Sequence, residues 1–227
     1  MKKLVNFWIH RVSPQISSLI ASIGVTSLAL YLVILLTLRW LFKEVWEKET
    51  FSLDKTLLLG IRQWANPVLD YWMLRITHLG DPGFIVGVVL ASLIWLWWRQ
   101  CYLQAKMFAV ACLGALVLNQ GLKLLFAKPR PILWQQLITE TSFSFPSGHA
   151  LGSIVIYGFL AYLLATQLPK FSRWIYVAAI GVIAAIGFSR LYLGVHWPTD
   201  ILAGYSVGFL WLMTCITLLK MQTQKSA

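Results

Sequence analysis

Three short stretches of this 227-residue chain place charged residues and histidines beside strongly apolar sequence. They read KLLFAKPRP (123–131), FPSGHA (145–150) and SRLYLGVHWPTD (189–200). Charge inside a bilayer is costly, so charged residues next to membrane-type sequence need an explanation. The simple explanation is a loop at the membrane surface. The more specific one is a catalytic site.

The basic residues of these stretches could bind an anion. Lys123, Arg130 and Arg190 are cations, and Asp200 is expected to be the only neighbouring acid that could neutralise them. The planar guanidinium group of arginine matches the oxygens of a phosphate group. These residues therefore favour a phosphate site.

The stretch PSGH predicts a helix start that contributes to the same site. Ser147 is expected to cap the helix, and the N–H groups of Gly148 and His149 would then point towards an anion. Glycine has no side chain, so the backbone can approach a ligand closely.

His196 and Asp200 are four residues apart at a predicted helix start, with Pro198 in the first turn. This spacing predicts that both side chains lie on one face, where the carboxylate accepts a hydrogen bond from the imidazole. The other ring nitrogen then stays unprotonated and can act as a nucleophile. His149 is left to act as the proton donor.

Each residue has an ordinary explanation when taken alone. A single Lys or Arg at the end of a membrane span is usually an anchor, and a single His is usually an interface residue. The combination of cations, an anion-binding turn and a His/Asp pair on one side of the membrane favours catalysis.

The composition predicts a polytopic membrane protein. Hydrophobic residues make up 59% of the chain, charged residues 12%, and the mean hydropathy is +0.71. A soluble domain needs more polar surface. Six apolar segments of about the length that a bilayer requires predict an all-α bundle of six transmembrane helices. They cover residues 17–38, 83–98, 107–126, 150–168, 174–189 and 201–219.

The distribution of charge predicts the orientation. If both termini lie on one side, that side carries nine basic residues and no acid, whereas all eight acids lie on the other side. The positive-inside rule then places the termini in the cytoplasm and the three stretches on the outer face. Topology accounts for the net charge of +11, and no segment predicts nucleic-acid binding. The three cysteines predict neither a disulfide framework nor a metal site.

The segment 39–82 is predicted to be an amphipathic piece on the outer surface between the first two spans. Asn66 and Pro67 form a cap and first-turn pair. Apolar residues then recur at helical spacing, which indicates packing or, alternatively, a lid or lipid entrance beside the site. They are Val68, Leu69, Trp72, Met73, Ile76 and Leu79. In the last span, Gly204 and Gly208 predict a close approach of two helices. The whole chain, 1–227, is interpreted as one domain.

The three stretches resemble the complete signature of the type 2 phosphatidic acid phosphatase superfamily. The pattern consists of Lys123-x6-Arg130-Pro131, Pro146-Ser147-Gly148-His149 and Ser189-Arg190-x5-His196-x3-Asp200. The superfamily includes membrane lipid phosphatases, glucose-6-phosphatase and vanadium haloperoxidases. The resemblance covers residues 123–200 and agrees with the six-helix membrane branch.

The resemblance implies a role for each matching residue. His196 would attack phosphorus, Asp200 would orient it, and His149 would protonate the leaving oxygen and later activate water. The phosphoryl oxygens would be held by a further set: Lys123, Arg130, Ser147, Gly148 and Arg190. Neither a metal nor any other cofactor is implied.

The leading hypothesis is a phosphatase of the bacterial cytoplasmic membrane that acts on a lipid phosphate or pyrophosphate at the outer leaflet. Phosphatidic acid, phosphatidylglycerol phosphate and undecaprenyl pyrophosphate all fit, and the sequence does not choose among them. Two alternatives are an anion or lipid transporter and a vanadate-dependent oxidase. The expected partners are the lipid substrate and membrane lipids. The sequence does not determine an oligomeric state.

Overall fold

The structure is a computed structural model that describes residues 25–47 and 52–226. The chain separates into two compact units, 1–42 and 43–227. Helix α1, Val25–Trp46, begins in the first unit, and every later helix belongs to the second. The predicted first span, 17–38, lies partly outside the described residues. The interpretation of 1–227 as one domain stays a prediction.

Two shorter helices follow α1 and precede the long apolar ones. They are α2, Ser52–Arg62, and α3, Pro67–His78. The predicted start of α3 is confirmed, because the Asn66 side chain accepts hydrogen bonds from the backbone N–H groups of Val68 and Leu69, and Pro67 occupies the first turn.

Five longer helices complete the described fold. Their bounds are α4, Pro82–Trp98; α5, Tyr102–Phe126; α6, Gly148–Gln167; α7, Ser172–Tyr192; and α8, Pro198–Ser226. A 3-10 turn, Pro169–Phe171, joins α6 to α7. Within the described ranges all regular elements are helices, so the all-α prediction is confirmed there.

Four of these helices are long and apolar enough to cross a membrane. They are α5, α6, α7 with the preceding 3-10 turn, and α8. Helices α3 and α4 are bent by 45° relative to each other and together could form a fifth, broken span. The described residues therefore support four or five of the six predicted spans. In a broken span of this kind, α3 would be part of a membrane-spanning segment and would not lie on the outer surface, where the sequence predicted it.

The core of the second unit lies between α5, α6 and α8. Phe108 on α5 packs against Phe159 on α6 with ring centroids 5.5 Å apart. The predicted close approach at Gly204 and Gly208 is confirmed. A Cβ at Gly204 would lie 2.7 Å from the Ser147 backbone oxygen, and small residues at this crossing let α6 and α8 pack tightly.

A second, smaller cluster joins α3 to the end of α7. Leu69 and Met73 of the predicted apolar stripe pack against Tyr192, Leu193 and Val195. Two other members of the stripe do not pack in this way, since Val68 and Trp72 are 67% and 55% exposed. The packing face of α3 is therefore narrower than the stripe predicted.

Candidate active site

The three sequence stretches meet at one end of the helix bundle. Lys123 lies in the last turn of α5, and Gly148 begins α6. Arg190 lies in the last turn of α7, and Asp200 lies in the first turn of α8. A backbone hydrogen bond of 3.1 Å from Ser147 N–H to the Asp200 carbonyl ties the starts of α6 and α8 together. The bundle thus assembles residues that are far apart in sequence.

His196 and Asp200 are in contact, as predicted. The distance from His196 Nδ1 to Asp200 Oδ2 is 3.3 Å, and both side chains are almost fully buried. His196 itself precedes α8, so the two residues do not share a helical face. The Asp200 carboxylate instead turns back across the helix start, where Oδ2 accepts a 2.9 Å hydrogen bond from Trp197 N–H. This is the return contact of a capping box.

Two further residues fix the Asp200 carboxylate, and neither was identified from the sequence. Lys128 Nζ donates to Asp200 Oδ1 at 2.9 Å, and the Ser144 hydroxyl donates to Asp200 Oδ2. Lys128 also donates to Thr199 Oγ1 at 2.9 Å. Lys128 lies between Lys123 and Arg130 in the sequence, and this position could have indicated that it belongs to the site.

The contact with Arg130 indicates which nitrogen of His196 carries the proton. Its Nη1 lies 3.2 Å from His196 Nε2 and 2.7 Å from the Val195 carbonyl. A guanidinium group only donates, so Nε2 accepts and the imidazole proton resides on Nδ1, facing Asp200. Burial lowers the pKa of His196 below its ordinary 6.5, and the opposing effect of Asp200 is smaller. The neutral ring therefore keeps a lone pair on Nε2.

The loop before α6 engages the two cations from the first stretch. Lys123 Nζ donates to Ser142 Oγ at 3.2 Å and to the Phe143 carbonyl. Arg130 Nε donates to the Ser142 carbonyl at 2.8 Å, and Nη2 donates to Ser142 Oγ at 3.1 Å. These contacts hold both cations beside the cavity that His196 also lines.

Glu140 corrects the sequence-based view that Asp200 is the only acid near the cations. Its carboxylate accepts a hydrogen bond from Arg190 Nη2 and lies 3.6 Å from Arg130 Nη2. Burial by itself raises the pKa of Glu140, but Arg190 and Arg130 outweigh it, and the net shift is below the usual 4.5. Glu140 is therefore a charged carboxylate that lies between Arg130 and Arg190, the two arginines predicted to bind phosphate.

Arg190 is almost fully buried, at 1% exposure. Its Nη1 donates to Thr77 Oγ1 at 2.8 Å, which connects α7 to α3. Within the described part of the chain, Arg190 Nε has no hydrogen-bond partner. A buried donor of this kind is costly when it is unpaired, and an incoming anion could satisfy it.

The start of α6 has the predicted cap. The Ser147 hydroxyl accepts from Ala150 N–H at 3.4 Å. Asn119 on α5 supports this turn, because its Nδ2 donates to the Pro146 carbonyl at 3.3 Å. A Cβ at Gly148 would lie 3.0 Å from Asn119 Oδ1, so the close approach favours glycine. Asn119 was not identified from the sequence.

His149 is held by a residue outside the three stretches. Its Nε2 lies 2.9 Å from Asp81 Oδ1, and Asp81 Oδ2 lies 2.6 Å from His78 Nδ1. Both of these partners lie near the turn between α3 and α4. Sequence reasoning missed them because the segment before α4 showed no motif.

A cavity of about 440 Å³ connects these polar groups to an apolar region between α4 and α5. Its apolar wall includes Ile85, Val86 and Val89 from α4 and Leu113 and Leu116 from α5. Its polar end is formed by residues of the site: Lys123, Arg130, Glu140, Ser142, His149 and His196. The cavity can accommodate a molecule with a charged head and an apolar body.

Comparison with known proteins agrees with the geometry. Residues 104–224 match the PAP2 superfamily. Phosphatidylglycerophosphatase B of Bacillus subtilis is 37% identical over 164 residues, which cover 70% of this chain and 77% of that protein. The undecaprenyl-diphosphatase of Sulfolobus acidocaldarius is also 37% identical, over 41% of this chain and 45% of its own length.

The fold has a close counterpart among solved structures. The crystal structure of a transmembrane PAP2-type phosphatidylglycerolphosphate phosphatase from Bacillus subtilis superimposes with a TM-score of 0.72 at 28% identity. The superposition covers 87% of this chain and 96% of that one. The chain belongs to the PAP2 superfamily and is an integral membrane enzyme of its phosphatase class.

Proposed function

We propose that this protein hydrolyses a phosphate or pyrophosphate group from a membrane lipid through a phosphohistidine on His196. The observation that supports this most is the continuous cavity, which has cations and two histidines at one end and an apolar wall at the other. A lipid would lie with its chain between α4 and α5 and its phosphate beside Arg130. The names of the two relatives given above, a phosphatidylglycerophosphatase and an undecaprenyl-diphosphatase, describe enzymes that hydrolyse lipid-linked phosphates.

In the first step, His196 Nε2 attacks phosphorus and the bond from phosphorus to the lipid oxygen breaks. His149 gives a proton to the departing oxygen, so that the lipid leaves as an alcohol or, from a pyrophosphate, as a monophosphate. Asp200 accepts a hydrogen bond from His196 Nδ1–H and stabilises the positive charge that develops on the His196 ring.

In the second step, water attacks phosphorus and the bond from phosphorus to His196 breaks. His149 takes a proton from this water, which regenerates its acidic form, and inorganic phosphate leaves. Splitting the displacement into two steps lowers the barrier because the nucleophile is already positioned. The protons balance, since the one given to the leaving group is recovered from water.

The cations stabilise the charge on the transferring phosphoryl oxygens. Lys123, Arg130 and Arg190 carry this role, with Ser147 and Gly148 at the start of α6. Phosphate would take over donors of Arg190 and Arg130 that contact Glu140 and Ser142 in this structure. The unpaired Nε of Arg190 gains an acceptor at the same time.

The substrate classes that fit are phosphatidylglycerol phosphate, phosphatidic acid and undecaprenyl pyrophosphate. All three combine an apolar body with a terminal phosphate, which the cavity requires. Phosphate release from each of these lipids, with purified protein in detergent, is the direct experiment. His196→Ala is the control, and EDTA should leave activity intact because the proposed mechanism uses no metal.

Two rival functions give different results in that experiment. A transporter for anions or lipids would release no phosphate. A vanadate-dependent oxidase would need added vanadate and peroxide to show activity. Absence of release from all the lipids, with folded protein, would therefore reject the proposed function.

We further propose that both termini lie in the cytoplasm and that the site faces the periplasm or exterior. The support is the basic side that carries no acid. A cysteine introduced after Pro131 should react with a membrane-impermeant thiol reagent added from outside. Native Cys101 should react only after the membrane is opened. The reverse pattern would overturn this orientation.

A further inference from the structure

The first residue to consider is Asp81, which immediately precedes α4. Aspartate at this position commonly accepts a hydrogen bond from the first turn of its helix, a contact worth about 1 kcal/mol. In the described structure the Asp81 side chain makes no such capping bond. Its carboxylate is used elsewhere, and this departure from the usual arrangement points to another role.

The carboxylate connects two histidines. Asp81 Oδ1 lies 2.9 Å from His149 Nε2, and Asp81 Oδ2 lies 2.6 Å from His78 Nδ1. The His149 side chain is 11% exposed, whereas His78 is 65% exposed. His149, Asp81 and His78 therefore form a chain of contacts from the cavity to the surface of the protein.

The turn that carries Asp81 is fixed against the helix that carries His149. Tyr157 on α6 donates a 2.6 Å hydrogen bond to the Leu79 carbonyl. A Cβ at Gly80 would lie 2.5 Å from His149 Cδ2, so the imidazole packs directly on the backbone of this turn. The position of the ring is thus set by residues 79–81 together.

We propose that Asp81 is a positioning residue that holds His149 ready to donate its proton to the leaving oxygen. This inference rests on the proposed function. By engaging Nε2, Asp81 leaves Nδ1 as the nitrogen that faces substrate. The carboxylate also stabilises the protonated ring, which is the form that His149 must have before the first step.

Other charges near His149 act in both directions. Burial opposes a positive imidazole most strongly and Arg190 on α7 also opposes it, whereas Asp81 and Glu140, in the loop before α6, favour it. Asp81 is the carboxylate in direct contact with the ring, so its removal changes both the ring orientation and its charge. His78, on α3, is the partner that shares the Asp81 carboxylate.

The test is Asp81→Asn with two substrates that differ in their leaving group. A lipid phosphate leaves as an alkoxide equivalent and needs the proton, whereas an aryl phosphate leaves as a stable phenolate and needs it far less. Asp81→Asn should lower kcat on the lipid phosphate by about 10²-fold, the usual contribution of a general acid. It should lower phosphoenzyme formation from the aryl phosphate by less than about threefold.

Two variants serve as controls. Asp70→Asn removes a carboxylate from the same pair of helices, α3 and α4. The Asp70 carboxylate accepts a 2.7 Å hydrogen bond from the Tyr192 hydroxyl and does not line the cavity. This variant should therefore retain wild-type rates on both substrates. Asp81→Glu restores a carboxylate and should recover part of the lost kcat with KM unchanged.

Equal loss on both substrates, or wild-type kcat in Asp81→Asn, would overturn the role of Asp81. Failure of the proposed function looks different, because the wild-type protein would then release no phosphate from any lipid. A folding defect would appear in the thermal unfolding of Asp81→Asn. If Asp81→Asn shows such a defect, Asp81→Glu and His78→Gln replace it, because both keep a carboxylate at residue 81. The loss of rate on the lipid phosphate is then compared with the loss on the aryl phosphate in these two variants.

Discussion

Replacing Asp200 by Asn tests the hydrogen-bond geometry around His196. In the wild type, Asp200 Oδ1 accepts from Lys128, and Oδ2 accepts from Trp197 N–H, Ser144 and His196. An amide must place its NH₂ group on one of these two sides. Facing Lys128 would set it against an ammonium group. On the Oδ2 side the NH₂ group would face one fixed donor, the neutral Trp197 N–H, whereas the Ser144 hydroxyl and the His196 imidazole can both reverse and accept. This orientation is cheaper because the donor it opposes carries no charge.

The cheaper orientation inactivates the nucleophile. His196 Nδ1 would accept from the amide, and its proton would move to Nε2, which is the nitrogen that attacks phosphorus in the proposed mechanism. That proton would also face Arg130 Nη1, which lies 3.2 Å away and is itself a donor. Conversion of the carboxylate behind a catalytic histidine to its amide lowers kcat by about 10³- to 10⁴-fold. This corresponds to about 4 to 5.5 kcal/mol in the barrier.

The assay is kcat and KM on one soluble short-chain lipid phosphate. KM should change by less than about threefold, because the proposed phosphate contacts come from Lys123, Arg130 and Arg190 and are retained. Asp54→Asn is the matched control, since Asp54 is also buried and lies 3.9 Å from Lys128 but contacts Thr199 rather than His196. It should lose less than about tenfold in kcat. A rise in KM alone for Asp200→Asn, with kcat intact, would refute this reasoning.

Three more predictions follow from neighbouring groups. Arg190→Ala should raise KM and also lower kcat by about 10²-fold, since in the proposed mechanism this cation contacts phosphate before and during transfer; a change in KM alone would contradict this. Glu140→Gln should lower the inhibitory concentration of inorganic phosphate by about fivefold, because a competing carboxylate charge is removed; weaker inhibition would reject the competition. His196 has a lowered pKa when folded, so the unfolded chain binds its proton first as pH falls below 6.5. Between pH 7.5 and 5.5 the wild type should therefore lose about 1.4 kcal/mol of stability relative to His196→Gln, measured by thermal unfolding; equal losses would contradict it.

Most of the fold could be predicted because hydrophobicity alone carries the information. The span predicted at 107–126 is the C-terminal part of α5, Tyr102–Phe126, and the span at 174–189 is the interior of α7, Ser172–Tyr192. For these two spans the errors lie at the helix ends, where polar residues such as Arg190 continue a helix that the hydropathy pattern ends early.

The site could be predicted as far as its residues lie in compact motifs. His196 and Asp200 are neighbours in sequence, so their contact could be predicted, although it forms across the start of α8 and not on one helical face. Glu140 and Asp81 are separated from their partners by 50 and 68 residues, and no local pattern relates them. Their roles depend on how the loop before α6 and the turn before α4 fold against the bundle.

The packing of α3 shows the same limit in another form. Its cap at Asn66 was predicted because a cap is a local interaction. Its inward face was predicted only in part, because Leu74 also packs on the cluster at the end of α7 whereas Trp72 is exposed. Exposed apolar residues are compatible with a lipid environment, so apolar spacing alone does not identify the packed face.

The central claim is the covalent intermediate on His196, and trapping it is the most direct test. His149→Ala protein is mixed with an aryl phosphate, quenched in alkali, where phosphohistidine is stable, and digested for mass spectrometry. The account predicts a phosphoryl group on the peptide that contains His196, and none in His196→Ala protein treated identically. Release of aryl alcohol without phosphate on His196, or phosphate on another residue of wild-type protein, would contradict the account.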